Sequence, residues 1–275
     1  MSAALTVAAV QVTAGREIAP NLDKVSTLVR TARARGADMV FLPENVAMMD
    51  AGPGARAKAQ PEETHVGVQT LQALARELGI WLHGGTLAVA LDDGRLANRT
   101  YVLDPTGAIR ARYDKIHMFD VDLPGGERHR ESATYRPGST AVVVDTPWVR
   151  LGLTICYDLR FAALFRCLAQ AGAGVIAVPA AFTRTTGQAH WHVLLRARAI
   201  ETGCFIVAPA QTGDHEDGRK TFGHALIVTP WGEVLADAGT EEGIIVAGLD
   251  LERVDAVRGM IPALRHDRAF SLSAP

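Results

Sequence analysis

The chain has 275 residues, 48% of them hydrophobic, which is enough to bury the core of one large domain or two small ones. Its 28 basic and 30 acidic residues are mixed along the chain and leave a net charge of -2 at pH 7. No basic block exists to neutralise phosphates or anionic lipid, so nucleic acid and membrane are not expected partners.

The amino-terminal segment has no basic n-region and runs directly into an alternating strand, which argues against a cleaved signal. Valine, isoleucine and aromatic content with Gly, Asp or Pro boundaries predicts strands over residues 5–13, 38–42, 81–90 and 98–103. Apolar residues at helical spacing, Val25, Leu28, Val29 and Ala32 and then Val66, Val68, Leu71 and Leu74, predict helices over 21–35 and 63–78. The second half repeats the alternation: a strand over 149–156, a helix over 161–170, a strand over 174–179 and a helix over 188–202. Strands over 204–210, 225–229 and 243–250 follow. The longest charge-free stretch, 167–183, contains Gly172, Gly174 and Pro179 and is too short and broken to span a bilayer. With no Pro/Ser-rich linker, residues 1–275 are expected to form a single cytoplasmic domain of two packed sheets with helices outside.

Three of these predicted elements deliver reactive side chains to their ends. Glu44 ends the run Met39-Val-Phe-Leu-Pro-Glu44, Lys115 ends a mixed strand, and Cys156 ends the apolar run from Leu151 before a polar turn. A base, a cation and a thiol so placed fit attack on a carbonyl with stabilisation of the oxyanion. The three cysteines, Cys156, Cys167 and Cys204, cannot all pair and show no CxxC spacing, against both a disulfide framework and a zinc knuckle. Cys167 in a helix pattern and Cys204 at the start of an apolar strand read as core filler.

Pro43-Glu44, Tyr113-Asp-Lys115-Ile-His and Gly152-Leu-Thr-Ile-Cys156-Tyr-Asp-Leu-Arg160-Phe resemble, in this order, the three signatures of the carbon-nitrogen hydrolases of the nitrilase superfamily. The resemblance extends through Phe119-Asp-Val-Asp-Leu-Pro-Gly, Arg130-Glu-Ser, Thr186-Gly-Gln-Ala-His-Trp and Pro230-Trp-Gly to the branch containing deaminated glutathione amidase and omega-amidase. It implies an α/β fold, a four-layer α-β-β-α sandwich, that forms a homodimer and needs no cofactor or metal. It implies Cys156 as nucleophile, Glu44 as general base, and Lys115 with the backbone N–H of Tyr157 as oxyanion hole. A second glutamate that orients Lys115 and the substrate amide falls at Glu131 by the Arg-Glu-Ser match, with Glu127 the weaker candidate. Arg160 is the expected grip for a substrate carboxylate, its alternative being a structural salt bridge, and Phe182, Thr183 and Thr186 match the pocket wall. Gln188 stands where the family commonly has proline, and His192 where it often has glutamate.

The expected reaction turns a small carboxylate-bearing amide into acid and ammonia through a thioester. Deaminated glutathione is the favoured substrate, and 2-oxoglutaramate or 2-oxosuccinamate the alternative; a nitrile, an N-carbamoyl compound or a non-catalytic binding role ranks lower. No HExxH, GxSxG or GxxxxGK[ST] motif is present. His190 and His192, two residues apart, point to opposite faces of a helix, so spacing assembles no metal site. A papain-like pair of Cys156 with His117 or His224 stays open.

Overall fold

A computed structural model describes residues 5–123 and 126–273. The first four residues, part of the segment read above as no cleaved signal, and Pro124-Gly125 of the 119–125 motif lie outside the described residues. The first half contains β1 (Leu5–Val12), α1 (Ile18–Ala34), β2 (Met39–Phe41), α2 (Pro53–Lys58), α3 (Val66–Leu78), β3 (Trp81–His83), β4 (Leu87–Ala90), β5 (Leu96–Leu103) and β6 (Ile109–Asp114). A hairpin of β7 (Asp120–Asp122) and β8 (Arg128–Arg130) leads to β9 (Val142–Asp145), β10 (Arg150–Leu153), α4 (Ala162–Gln170), β11 (Val175–Ala177) and α5 (Arg184–Thr202). The chain finishes with β12 (Phe205–Ala208), β13 (Ala210–Asp214), β14 (Lys220–Phe222), β15 (Leu226–Val228), β16 (Val234–Asp237), β17 (Gly243–Leu249) and α6 (Glu252–Met260).

One sheet runs β14-β13-β1-β2-β3-β5-β4, with β17 also on β1 and β6 on β5; the other runs β16-β15-β12-β11-β10-β9. Alternation along β1 shows how the layers form. Leu5, Val7 and Ala9 join the core between the sheets, which continues through Leu151 and Leu153 to Phe165 on α4 and Trp191 on α5. Ala8, Val10 and Val12 face the other way, onto Leu22, Val25 and Val29 of α1 and Leu71 and Leu74 of α3. Each such fully buried aliphatic side chain contributes about 1.5–3 kcal/mol, and the result is an α-β-β-α sandwich. No helix among the described residues is long and apolar enough to cross a membrane.

Several boundaries differ from the periodicity for local reasons. The strand expected over 81–90 breaks into β3 and β4 where Gly85 takes φ +61. The strand expected over 204–210 is two strands in different sheets, because Pro209 separates β12 from β13 and the chain crosses the sandwich there. α5 starts at Arg184, four residues early, because the Thr183 side chain caps it. Likewise α3 starts at Val66, where His65 accepts the Gly67 N–H. α2, α6 and the short strands β9, β14 and β16 carry too few periodic residues to be seen in advance.

Candidate active site

Three strand ends converge at one end of the sandwich. Beyond β2, Pro43 and Glu44 are fixed from the side by Gly85 and Thr86: a Cβ on Gly85 would lie 2.1 Å from the Pro43 carbonyl oxygen, so only glycine permits this approach. Thr86 donates its N–H to Pro43 and accepts the Asn45 N–H at 2.9 Å. After β6, Lys115 donates its N–H to the Asn98 carbonyl at 3.0 Å, and its own carbonyl accepts the Gly138 N–H at 2.8 Å. After β10, Cys156 turns sharply at φ +47, a left-handed conformation rare for a side-chain-bearing residue, and donates its N–H to the Pro179 carbonyl at 2.9 Å.

The side chains form a buried charge cluster. Glu44 is 3%, Lys115 2% and Cys156 7% exposed, so their charges act through little water. The Lys115 ammonium donates to Glu44 Oε1 at 3.0 Å and to both oxygens of Glu131 at 3.0 and 2.8 Å. Glu127 instead accepts from His129 at 2.8 Å. Asn98, unnoticed in the sequence, donates its amide to Glu44 at 2.9 Å and to Glu131 at 3.1 Å. Backbone donors complete both carboxylates: the Ala181 N–H on Glu44 at 2.8 Å and the Phe119 N–H on Glu131 at 2.7 Å.

These neighbours set the protonation states. Burial opposes ionisation of Glu44, but the Lys115 charge and hydrogen bonds hold its carboxyl below the usual range. Burial likewise opposes the Lys115 ammonium, and Glu131 and Glu44 together keep it protonated well beyond the ordinary lysine range. The thiol behaves differently: burial, then the Glu44 charge, push Cys156 well above its ordinary value, and Lys115 only partly offsets them. The resting pair is therefore a protonated thiol beside an ionised carboxylate, a proton donor next to an acceptor.

A further residue that sequence reasoning passed over ties the lysine and cysteine segments together. Buried Asp158 accepts the Ile155 N–H at 2.9 Å and the Tyr113 hydroxyl at 2.6 Å with one oxygen. Its other oxygen takes the His117 N–H at 3.1 Å and the His117 ring at 2.7 Å. His117 is thus engaged by Asp158 and stacked on Phe161 at 3.4 Å, and His224 contacts Asp237. Neither lines the cavity around Cys156, so the papain-like pair is not assembled. The signal for Asp158 was in plain view, since it lies two residues from the nucleophile and Tyr113 two from the lysine.

Above the thiol lies a cavity of about 150 Å³, walled by Tyr157, Phe182, Thr183, Thr186 and Tyr135. Thr183 and Thr186 share a 2.8 Å hydrogen bond in the first turn of α5. Arg160 is not part of this lining. Its guanidinium lies 5.2 Å from the Phe182 ring and 5.8 Å from the Tyr157 ring, two residues of the lining, with His190 as its polar neighbour at 3.3 Å. Besides Lys115, the cations in the lining are Arg130, which the sequence showed only as the start of the Arg130-Glu-Ser motif, and Arg219 and Lys220, which it did not single out. Arg130 is engaged by Asp122, and Arg219 by Asp217 at 2.5 Å; Lys220 has no ion pair among the described residues. His129, Arg219 and Lys220 also border an adjoining open groove of about 580 Å³ that includes Gln188.

A profile of the carbon-nitrogen hydrolases matches residues 6–259. The chain is 41% identical to a deaminated glutathione amidase of Synechocystis sp. over 94% of its length and 96% of the relative's. It is 39% identical to the human omega-amidase NIT2 over 90% of both chains. In structure it is similar to the NitFhit protein of C. elegans, with a TM-score of 0.88 at 36% identity, covering 96% of this chain and 65% of that one. With three strand ends bringing Glu44, Lys115 and Cys156 together in a sandwich of this kind, the chain belongs to the carbon-nitrogen hydrolase family of the nitrilase superfamily, and it is a hydrolase of carbon-nitrogen bonds.

Proposed function

We propose that Cys156 is the nucleophile of an amidase, with Glu44 as its base, and that the substrate is an amide bearing two carboxylates, of the deaminated glutathione kind. The observation that carries the chemistry is the buried thiol-carboxylate pair beside a doubly held ammonium. In this reading Cys156 Sγ attacks the amide carbonyl carbon while Glu44 accepts the thiol proton. The carbonyl oxygen, now an anion, is met by Lys115 Nζ and the Tyr157 N–H, donors of a type whose loss costs about 100-fold or more in rate. Collapse breaks the carbon-nitrogen bond as Glu44 returns the proton to the leaving nitrogen. A water molecule then gives a proton to Glu44 as its oxygen attacks the thioester carbonyl; the carbon-sulfur bond breaks and Glu44 passes that proton to the departing Cys156 sulfur, releasing the acid and restoring the thiol. Glu131 acts by holding Lys115 in place.

The substrate choice is supported by two separate cationic places, Arg160 against the Phe182 and Tyr157 rings and Arg219 with Lys220 at the mouth of a groove that continues the cavity. A deaminated glutathione carries a carboxylate at each end, and an omega-amide such as 2-oxoglutaramate carries one. For the former the nitrogen leaves as the amine of cysteinylglycine, so ammonia is the product only for the latter. The exposed apolar residues Val193, Ile200, Met260 and Ile261 support a homodimer as the working assembly.

The test compares both substrates in Arg160→Ala and Lys220→Ala. Arg160→Ala should lower kcat/KM for both by about 10-fold or more, and Lys220→Ala should lower it only for deaminated glutathione. Equal losses for both substrates in Lys220→Ala would remove the two-carboxylate argument and leave the omega-amide as the reading.

A further inference from the structure

Outside the catalytic cavity, His192 on α5, His224 just beyond β14 and Asp237 at the end of β16 come together with one donor atom of each within 4.8 Å of the others. Asp237 Oδ2 lies 3.0 Å from His192 Nε2 and 3.1 Å from His224 Nδ1. We propose that these three side chains bind a divalent transition-metal ion of the zinc class through Asp237 Oδ2, His192 Nε2 and His224 Nδ1, with solvent completing the shell.

Size and donor chemistry both favour such an ion. Tetrahedral zinc with bonds of about 2.1 Å spaces its ligand atoms roughly 3.4 Å apart. The two contacts to Oδ2 therefore need to open by only a few tenths of an ångström. Two imidazoles and one carboxylate suit zinc and its first-row neighbours, whereas magnesium and calcium take oxygen shells. The side chains of His192, His224 and Asp237 are 36%, 25% and 32% exposed, which lets an ion enter and leaves room for a water ligand.

The surroundings already orient the ligands. Asp237 Oδ1 accepts the Gly239 N–H at 2.8 Å, which fixes the carboxylate plane; His224 Nδ1 straddles the carboxylate, 2.9 Å from Oδ1 and 3.1 Å from Oδ2, while His192 Nε2 faces Oδ2. The His224 carbonyl accepts the Trp191 indole N–H at 2.8 Å, and its ring stacks on Phe222 with centroids 4.5 Å apart. Its φ of +55 makes His224 one of three left-handed non-glycine residues among those described. Proton accounting is simple. In the metal-free cluster each ring donates an N–H to the carboxylate; on metal binding a neutral ring carries that proton on its other nitrogen, and a protonated ring releases one.

An ion here would clamp α5 to β16 one contact layer behind the cavity wall. Gly187, next to the wall residue Thr186, packs so closely on Phe222 that an added Cβ would lie 2.3 Å from it, and Phe222 in turn stacks on His224. The competing account is a His-Asp-His hydrogen-bond relay that holds no ion.

Titration of chelator-stripped protein with zinc chloride alone, by calorimetry and with metal analysis after desalting, separates the two. Because the Cys156 thiol is itself a zinc ligand, the background is Cys156→Ala. The site predicts one equivalent of zinc in that protein and at least about 10-fold weaker binding after His192→Gln or Asp237→Asn. Zinc at a hundredfold excess over its Kd should raise Tm by about 5 °C in the parent and not in the variants. No stoichiometric binding in the parent, or equal binding in both His192→Gln and Asp237→Asn with circular dichroism unchanged, would overturn the site.

Discussion

Asn98 offers the sharpest test of how the carboxylates are tuned. Its amide nitrogen donates to both Glu44 and Glu131, while its own carbonyl oxygen is buried with no hydrogen-bond partner. That orientation is forced, because the flipped amide would set an oxygen against two carboxylates. Asn98→Ala removes one donor from the Glu44 carboxylate, a bond to a charged group worth about 1.5–3 kcal/mol. At about 1.4 kcal/mol per pH unit, the loss raises the Glu44 pKa by roughly 1–2 units. In the proposed mechanism Glu44 must be ionised to accept the thiol proton, so activity is expected above its pKa and is lost below it. In the wild type, the acid limb of kcat/KM should fall below the ordinary glutamate range, and no alkaline limb from Cys156 or Lys115 should appear near pH 9, since both are shifted upward. In Asn98→Ala the acid limb should move up by roughly 1–2 pH units. The assay is steady-state kcat/KM from about pH 3 to 9, with circular dichroism at each pH to confirm folding and the acid limb of both proteins required to fall within the range. Superimposable acid limbs in a folded variant would refute the reasoning, since Asn98 would then contribute nothing to the state of Glu44.

Three other outcomes are expected. Cys156→Ala should abolish turnover and haloacetamide labelling at the site, while Cys204→Ala stays active; mass spectrometry locates the adduct, and inactivating modification at Cys204 would reassign the nucleophile. Gly85→Ala should lower kcat by at least about 10-fold and destabilise the fold, because its Cβ displaces Pro43 and the adjacent Glu44, and a normal kcat would show the close approach to be dispensable. Buried His83 is held down to about 3 by desolvation. Its lowered folded-state pKa supplies stability that is full above about pH 6.5 and declines toward pH 3, by up to about 1.4 kcal/mol per pH unit. Urea titrations at pH 7 and 5 should therefore show a smaller loss in His83→Gln than in the wild type.

Glu44 and Cys156 were legible as candidates because each follows an apolar run that stops at a polar turn, which marks a strand end, whereas Lys115 closes the mixed strand β6 and was picked out with the motif around it. The helices α1 and α3 were legible through their buried 3.6-residue stripe. What the sequence could not display was convergence. Asn98 sits inside β5, where it reads as one polar residue of an alternating strand, and only the pairing of β5 with β6 brings it beside Lys115. Asp158 resembled a turn residue until Tyr113 and His117 closed on it. His192 paired with nothing at helical spacing because its partners come from β14 and β16, 32 and 45 residues away. Arg160, one helical turn from the nucleophile, suggested a carboxylate grip by proximity alone; its contacts with the Phe182 and Tyr157 rings became visible only in the fold.

Among the described residues, the three non-glycine residues with left-handed backbones are Asn45 (next to Glu44), Cys156 and His224. Each such conformation costs about 1–2 kcal/mol relative to a relaxed one. A laboratory campaign that selects only for heat resistance would thus be drawn to glycine at positions 156 and 224, and would gain melting temperature as it erased the thiol and the imidazole. Parallel selections, one for survival on heating and one for turnover, should part company at these positions before they disagree anywhere in the sandwich core.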